Sequence, residues 1–226
     1  MTQRNTDVRL EGVGKSYGDT IVLSGIDLTI DHGQFVVVLG RSGTGKSTLL
    51  NLIGGLDEPT QGRVLLLDQA LPELSETQRS MLRARKLGFV FQFFNLIPTL
   101  TARENVELPL ALNGVPKPRA REHARSLLRE LELAACADRF PDELSGGEQQ
   151  RIAIARAVVH DPEVVLADEP TGNLDLETGR IVLEMLNDIC RHRGTTLVMA
   201  THSDEVVAIA DRVLSISNSS LEELPG

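Results

Sequence analysis

Residues 34–48 read QFVVVLGRSGTGKST, a continuous apolar run, then a glycine-rich loop, then the start of a helix. An FVVVL run has no polar face, so it has to be covered on both sides. That is the pattern of an inner strand in a parallel sheet. The loop (Gly40, Arg41, Ser42, Gly43, Thr44, Gly45, Lys46, Ser47, Thr48) matches G-x4-G-K-[ST] and has the strand before it and helix after it that the motif needs. Its glycines let successive N–H groups face one point, where the helix start adds positive potential, so the loop suits phosphate. Lys46 is placed to reach the β- and γ-phosphates of a nucleoside triphosphate, and the Ser47 hydroxyl to hold Mg²⁺. Arg41 sits at a freely chosen position of the motif and carries no information about substrate.

A second apolar run, VVLA at 164–167, brings Asp168 and Glu169 to the carboxyl end of a strand, the edge where open parallel sheets bind ligands. Asp168 suits a magnesium ion held through water, and Glu169 is near enough to the same edge to polarise an attacking water. Just upstream, LSGGEQQR places Ser145, Gly146, Gly147 and Glu148 at a helix start, where amides and a hydroxyl form an anion site.

The rest of the pattern alternates strand and helix. Strands are expected at 8–10, 20–30, 34–39, 62–67, 88–91, 163–167, 195–199 and 212–216. Helices are expected from 46 and over 75–86, 101–112, 119–133, 146–160, 176–193 and 203–210, with breaks at 114–118 and 140–141. Strands at both ends with helices clustered between them imply an α/β core carrying a helical insertion from about 93 to 160. The chain is expected to form one domain over 1–226. Phe89 and Phe91 alternate inward on their strand as core residues, whereas Phe93 and Phe94 flank Gln92 in a loop. The latter pair either packs within the helical insertion or offers an apolar surface to a partner.

In this order, the phosphate loop, LSGGEQQR and VVLADE resemble the nucleotide-binding subunits of ABC transporters, and the resemblance covers nearly the whole chain. It implies a P-loop NTPase (RecA-like) α/β core with an N-terminal antiparallel β subdomain and an inserted α-helical subdomain. It also implies ATP hydrolysis with Mg²⁺. ADEPTGNLD continues the acid pair into a loop matching Asn173-Leu174-Asp175. His202 in VMATHSD matches the switch histidine at the γ-phosphate, and Gln92 in GFVFQFFNLIP the glutamine that touches Mg²⁺ and hinges the helical subdomain. Tyr17, the only tyrosine, stands where the family keeps an aromatic to stack on adenine, although packing on its hairpin would also account for it. Catalysis would then fall to Glu169, His202 and Lys46, and metal binding to Ser47, Gln92 and Asp168. In the family the signature helix (Ser145, Gly146, Gly147, Glu148) completes the ATP site of a second subunit. One phosphate loop and one signature therefore call for a partner subunit, most simply a copy of the same chain.

FVFQFFNLIPTLTARENVELPL together with LADEPTGNLD is similar to the lipoprotein-releasing and macrolide-efflux group, whose ATPases drive membrane proteins with large extracytoplasmic domains. The cell-division group shares LSGGEQQR and ADEPTGNLD, and amino-acid and antimicrobial-peptide exporters stay open. A soluble ABC ATPase acting on DNA or ribosomes is the reading from another class. It is opposed by a formal charge of −9, by the single cassette and by the lack of sustained heptads, and no nucleic acid is expected as partner. A binding module without hydrolysis is opposed by intact Lys46, Asp168, Glu169 and His202. Cys136 and Cys190 have neither metal spacing nor a disulfide framework, which fits a reducing compartment. No apolar run is long enough to cross a bilayer and residues 1–12 lack a signal-peptide core, so a peripheral place on the cytoplasmic side of the membrane, against an integral permease subunit, is expected. The sequence ends soon after its last expected strand, so a fused regulatory domain is not expected.

Overall fold

A computed structural model describes residues 6–224; the first five residues, part of the segment read for a signal peptide, lie outside it. Two sheets form the framework. The first is antiparallel, in the order β2-β1-β4-β5, from β1 (Thr6–Tyr17), β2 (Thr20–Asp31), β4 (Gln61–Leu66) and β5 (Gln69–Ala70). The second runs β10-β9-β3-β8-β7-β6, from β3 (Phe35–Leu39), β6 (Leu87–Phe91), β7 (Val164–Asp168), β8 (Thr196–Thr201), β9 (Arg212–Ser217) and β10 (Ser220–Leu224). Its strands are parallel except β10, which pairs antiparallel with β9 at the edge.

The apolar run of β3 is buried on both sides, as its composition requires. Phe35 and Val37 join one core while Val36 and Val38 join the other. β7 and β8 split in the same way, with Val165, Ala167, Leu197 and Met199 on one face and Val164, Leu166, Val198 and Ala200 on the other. The second face packs on the antiparallel sheet and on α1 (Lys46–Ile53), through Leu49, Leu52 and Ile53. The first face is covered by α3 (Ala102–Leu112), α4 (Lys117–Glu130), α5 (Gly146–Val158) and α6 (Leu176–Arg193), whose apolar residues belong to one continuous cluster with the sheet.

Several boundaries differ from the sequence reading. β1 extends well beyond 8–10 because it pairs along both β2 and β4, with irregular register around its glycines. α4 begins at Lys117 and takes in Pro118, since a proline in the first turn loses no helical bond. The short strands β5 and β10 were missed; both lie at sheet edges and are largely exposed, so they lack an apolar signal. Residues 204–209 form a 3₁₀ run. Phe89 and Phe91 are only half buried and stack on each other, with centroids 5.9 Å apart, while Val90 between them is fully buried. β6 is the edge strand of its sheet, and the cover on that face thins out beside α2 (Glu76–Lys86).

Candidate active site

The phosphate loop joins β3 to α1 and floors a cavity of about 690 Å³ at the carboxyl edge of the parallel sheet. Arg41, Ser42, Gly43, Gly45, Lys46, Ser47, Thr48, Gln92, Asp168, Glu169 and His202 line it together with Val22, so one concavity collects residues from five separate segments of the chain. Gly45 closes the loop with φ 106°, and a Cβ there would lie 2.9 Å from a methyl of Val22, so the turn needs glycine on both counts. Val22, on β2, also lines the cavity and was not foreseen; its only sequence signal is its place on an alternating strand.

The Lys46 ammonium is 6% exposed and donates to the carbonyls of Gly40 (2.7 Å) and Arg41 (3.2 Å). It also lies 3.3 Å from Glu169 Oε1. Glu169 has a left-handed backbone (φ +46°), and its N–H donates to the Ala200 carbonyl. A non-glycine residue in this region is held there by its surroundings at a cost of about 1 kcal/mol or more. Its second oxygen, Oε2, is 2.9 Å from Nδ1 of His202, which follows β8. Lys46, Glu169 and His202 thus form a chain of contacts, and the strained turn aims the carboxylate between the other two.

Asp168 ends β7 one residue earlier. Burial pushes its carboxyl above the usual range, the neighbouring Glu169 charge adds to this, and a hydrogen bond from Ser47 with the Lys46 charge oppose it. Its Oδ1 is buried with no hydrogen-bond partner. Gln92 faces the same cavity while its amide donates to Asn173 Oδ1 (3.3 Å), and Asn173 Nδ2 donates back to the Gln92 carbonyl (2.9 Å). The glutamine is therefore tied to the loop that follows the acid pair.

Tyr17 is half exposed and is not among the cavity-lining residues. Its hydroxyl donates to Asp57 (2.6 Å), which raises its pKa, and Lys15 Nζ lies 4.8 Å from its ring centroid. The Tyr17 hydroxyl also lies near the Thr48 side chain at the start of α1, whose hydrogen bonding opposes the rise.

None of Ser145, Gly146, Gly147 and Glu148 lines this cavity. Ser145 caps α5 in a reciprocal box: its N–H and hydroxyl donate to Glu148 Oε2 (both 2.8 Å), and its oxygen accepts from the Glu148 N–H. A Cβ on Gly147 would fall 2.5 Å from a methyl of Thr178, so the close approach of α5 to α6 requires glycine. Along α5, Gln150 donates to the carbonyls of Phe91 (3.3 Å) and Pro170 (2.6 Å), and Arg156 to those of Phe94 (2.9 Å) and Asn95 (2.6 Å). One helix therefore braces both loops that carry Gln92 and Glu169. These ties join residues far apart in the chain and leave no local pattern.

A phosphate loop, an acid pair and a histidine thus meet at the edge of a parallel sheet, with a capped glycine helix standing apart, as expected of an ATP-binding cassette. The family model described as "ABC transporter" matches residues 23–172. An Escherichia coli K12 protein named as the uncharacterized ABC transporter ATP-binding protein YbbA is 46% identical over 94% of this chain and 93% of its own. The lipoprotein-releasing system ATP-binding protein LolD of Xylella fastidiosa is 44% identical over 96% and 92%. The dimeric, ADP- and phosphate-bound post-hydrolysis structure of the cassette MJ0796 superposes with a TM-score of 0.86, at 40% identity over 97% of this chain and 99% of that one. The chain belongs to the ABC transporter family, and it binds and hydrolyses ATP.

Proposed function

We propose that two copies of this chain close head to tail over two ATP molecules, and that this closing and opening drives a membrane partner. The observation that carries the reading is the separation of the two halves of the chemistry. Lys46, Glu169 and His202 share one cavity, while the capped start of α5 at Ser145, Gly146 and Gly147 lies outside it. An anion site so placed is free to meet a triphosphate held by another subunit. That the MJ0796 cassette is dimeric with ADP and phosphate bound supports a pairing of two copies.

Within each site the roles follow from placement. Gly43, Gly45 and the start of α1 cradle the phosphates, and Lys46 pairs with their charge. Glu169 takes the proton of the attacking water, with His202 fixing its second oxygen. Tyr17 borders the adenine. A magnesium ion fits Ser47 and Asp168, because the buried, partnerless Asp168 Oδ1 and its raised pKa both call for a cation. Among the described residues no three His, Cys, Asp or Glu gather as a metal site. The remaining ligands would thus come from phosphate, water and Gln92. When bound, such an ion neutralises charge on the β- and γ-oxygens.

For the partner, a groove of about 440 Å³ between α2, α3 and β6 is lined by Leu56, Phe89, Phe91 and Leu112, and Leu112 is 70% exposed. Phe93, 71% exposed, stands beside Gln92. This apolar surface suits a short cytoplasmic helix of an integral permease subunit, which would feel every movement of the Gln92 loop. No helix among the described residues is long and apolar enough to cross a membrane; a peripheral place on its cytoplasmic side follows from the permease partner proposed here. LolD favours a partner of the lipoprotein-releasing type. Tagged Glu169→Gln protein, incubated with ATP and solubilised native membranes, should capture an integral protein with a large extracytoplasmic domain. Recovery of only ribosomal or DNA-bound complexes would overturn the transport reading.

A further inference from the structure

The capping box of α5 carries a charge conflict. At a helix start, the free amides and the Ser145 hydroxyl are the donors an incoming phosphate would use. Here the Ser145 hydroxyl proton goes to Glu148 Oε2, as does the Ser145 N–H. A carboxylate therefore occupies the hydroxyl donor that the second subunit's triphosphate needs, and its negative charge opposes that ligand. Two groups hold the other oxygen. The Cys136 thiol donates to Oε1 at 3.0 Å, and Arg139 Nη1 lies 3.7 Å from it. Arg139 is the only cation paired with Glu148 among the described residues. Neither Arg139 nor Cys136 lines the ATP cavity.

We infer that Glu148 sets the ATP concentration at which two subunits close, by competing with the triphosphate for the Ser145 hydroxyl at the start of α5, and that Arg139 is the positioning residue that weakens this competition. The inference rests on the head-to-tail reading above. Glutamine serves a capping box as well as glutamate does, so Glu148→Gln keeps the helix start while removing the charge. Its amide need not take the Ser145 proton, which then becomes available to phosphate. Arg139→Ala has the opposite sign, since it leaves the carboxylate charge without its offset. Arg139 is about half exposed, so its removal leaves the fold intact.

The test is analytical ultracentrifugation of the non-hydrolysing Glu169→Gln protein, titrated with Mg-ATP to half-dimerisation. Adding Glu148→Gln should lower the required ATP by about threefold, the scale of one exposed charge interaction, and flatten its dependence on salt. Arg139→Ala should raise it, Arg139→Lys should restore it, and Arg139→Ala in the Glu148→Gln background should change nothing further. A Glu148→Gln threshold equal to or above the parent's overturns the inference. An Arg139→Ala effect that persists undiminished without the Glu148 charge overturns it too, because Arg139 would then act on the partner directly. A parent that stays monomeric at every ATP concentration is a different failure, in which the head-to-tail reading falls and takes the inference with it.

Discussion

At Asp168 the site works against the stability of its own fold. Burial raises its carboxyl pKa, so the folded chain holds that proton more tightly than the unfolded chain does. The stability tied to it is fully present at acidic pH and is lost as pH rises through the folded-state value. At neutral pH the ionised side chain is therefore a net cost that a cation would offset. Asp168→Asn should raise the Tm of the ligand-free protein by about 2–4 °C for a gain of about 1 kcal/mol, while abolishing ATP turnover. Calorimetry beside a phosphate-release assay checks both halves, and a lower Tm would contradict the assigned cause. This carboxylate and its neighbours were legible in sequence because short motifs place them at the carboxyl end of a buried strand. The left-handed backbone of Glu169, which aims the second carboxylate, was not legible, because nothing in ADEPTG marks that glutamate as the strained position.

Among the elements, α5 does more than present the signature. Phe94 and Asn95 both have left-handed backbones (φ +61° and +50°), and Arg156 holds both of their carbonyls. Burial lowers the Arg156 pKa, so the guanidinium bears a desolvation penalty to clamp this loop. Arg156→Met keeps much of the volume and removes the charge. Its effect on stability should stay within about 1 kcal/mol, since lost hydrogen bonds and relieved desolvation oppose each other. The amides of Phe94 and Asn95, which donate to Phe91 and Phe93, should exchange at least about tenfold faster, a loss of about 1.4 kcal/mol of local protection. Hydrogen exchange read by mass spectrometry over this loop tests it, and unchanged protection would remove Arg156 as the clamp. The family resemblance implied a hinge at Gln92 but could not mark this loop's clamp, because residues some 60 positions apart share no periodicity. Phe89 packs against the core as expected, but it and Phe91 stay only partly buried for a related reason: alternation reports which face a side chain takes, not whether the sheet edge leaves that face covered.

Across the whole molecule, the two sheets are joined by a shared apolar core and by a buried polar tie. Asp7 on β1 is 1% exposed and accepts from the Thr196 hydroxyl of β8 at 2.6 Å, while His32 Nδ1 lies 2.9 Å away. The same hydroxyl accepts from the Gly33 N–H. Asp7→Ala should cost about 2 kcal/mol by stranding these groups, lowering Tm by about 4–8 °C in one cooperative transition. Two separate transitions would show that the sheets fold independently. The parallel core was legible from two apolar runs, whereas this junction was not, since a lone aspartate near the start of the chain carries no local signal. The central claim, that each ATP is completed by a second copy of the chain, is tested most directly by mixing two inactive variants. Lys46→Ala removes the phosphate-loop lysine. Gly146→Asp puts a carboxylate at the start of α5, where the helix tolerates it and a triphosphate does not. In a head-to-tail pair, one of the two sites in the mixed dimer is intact, so mixing should restore a substantial part of wild-type ATP turnover. If each chain used its own signature, both sites of every pair would stay defective and the mixture would remain as inactive as its components.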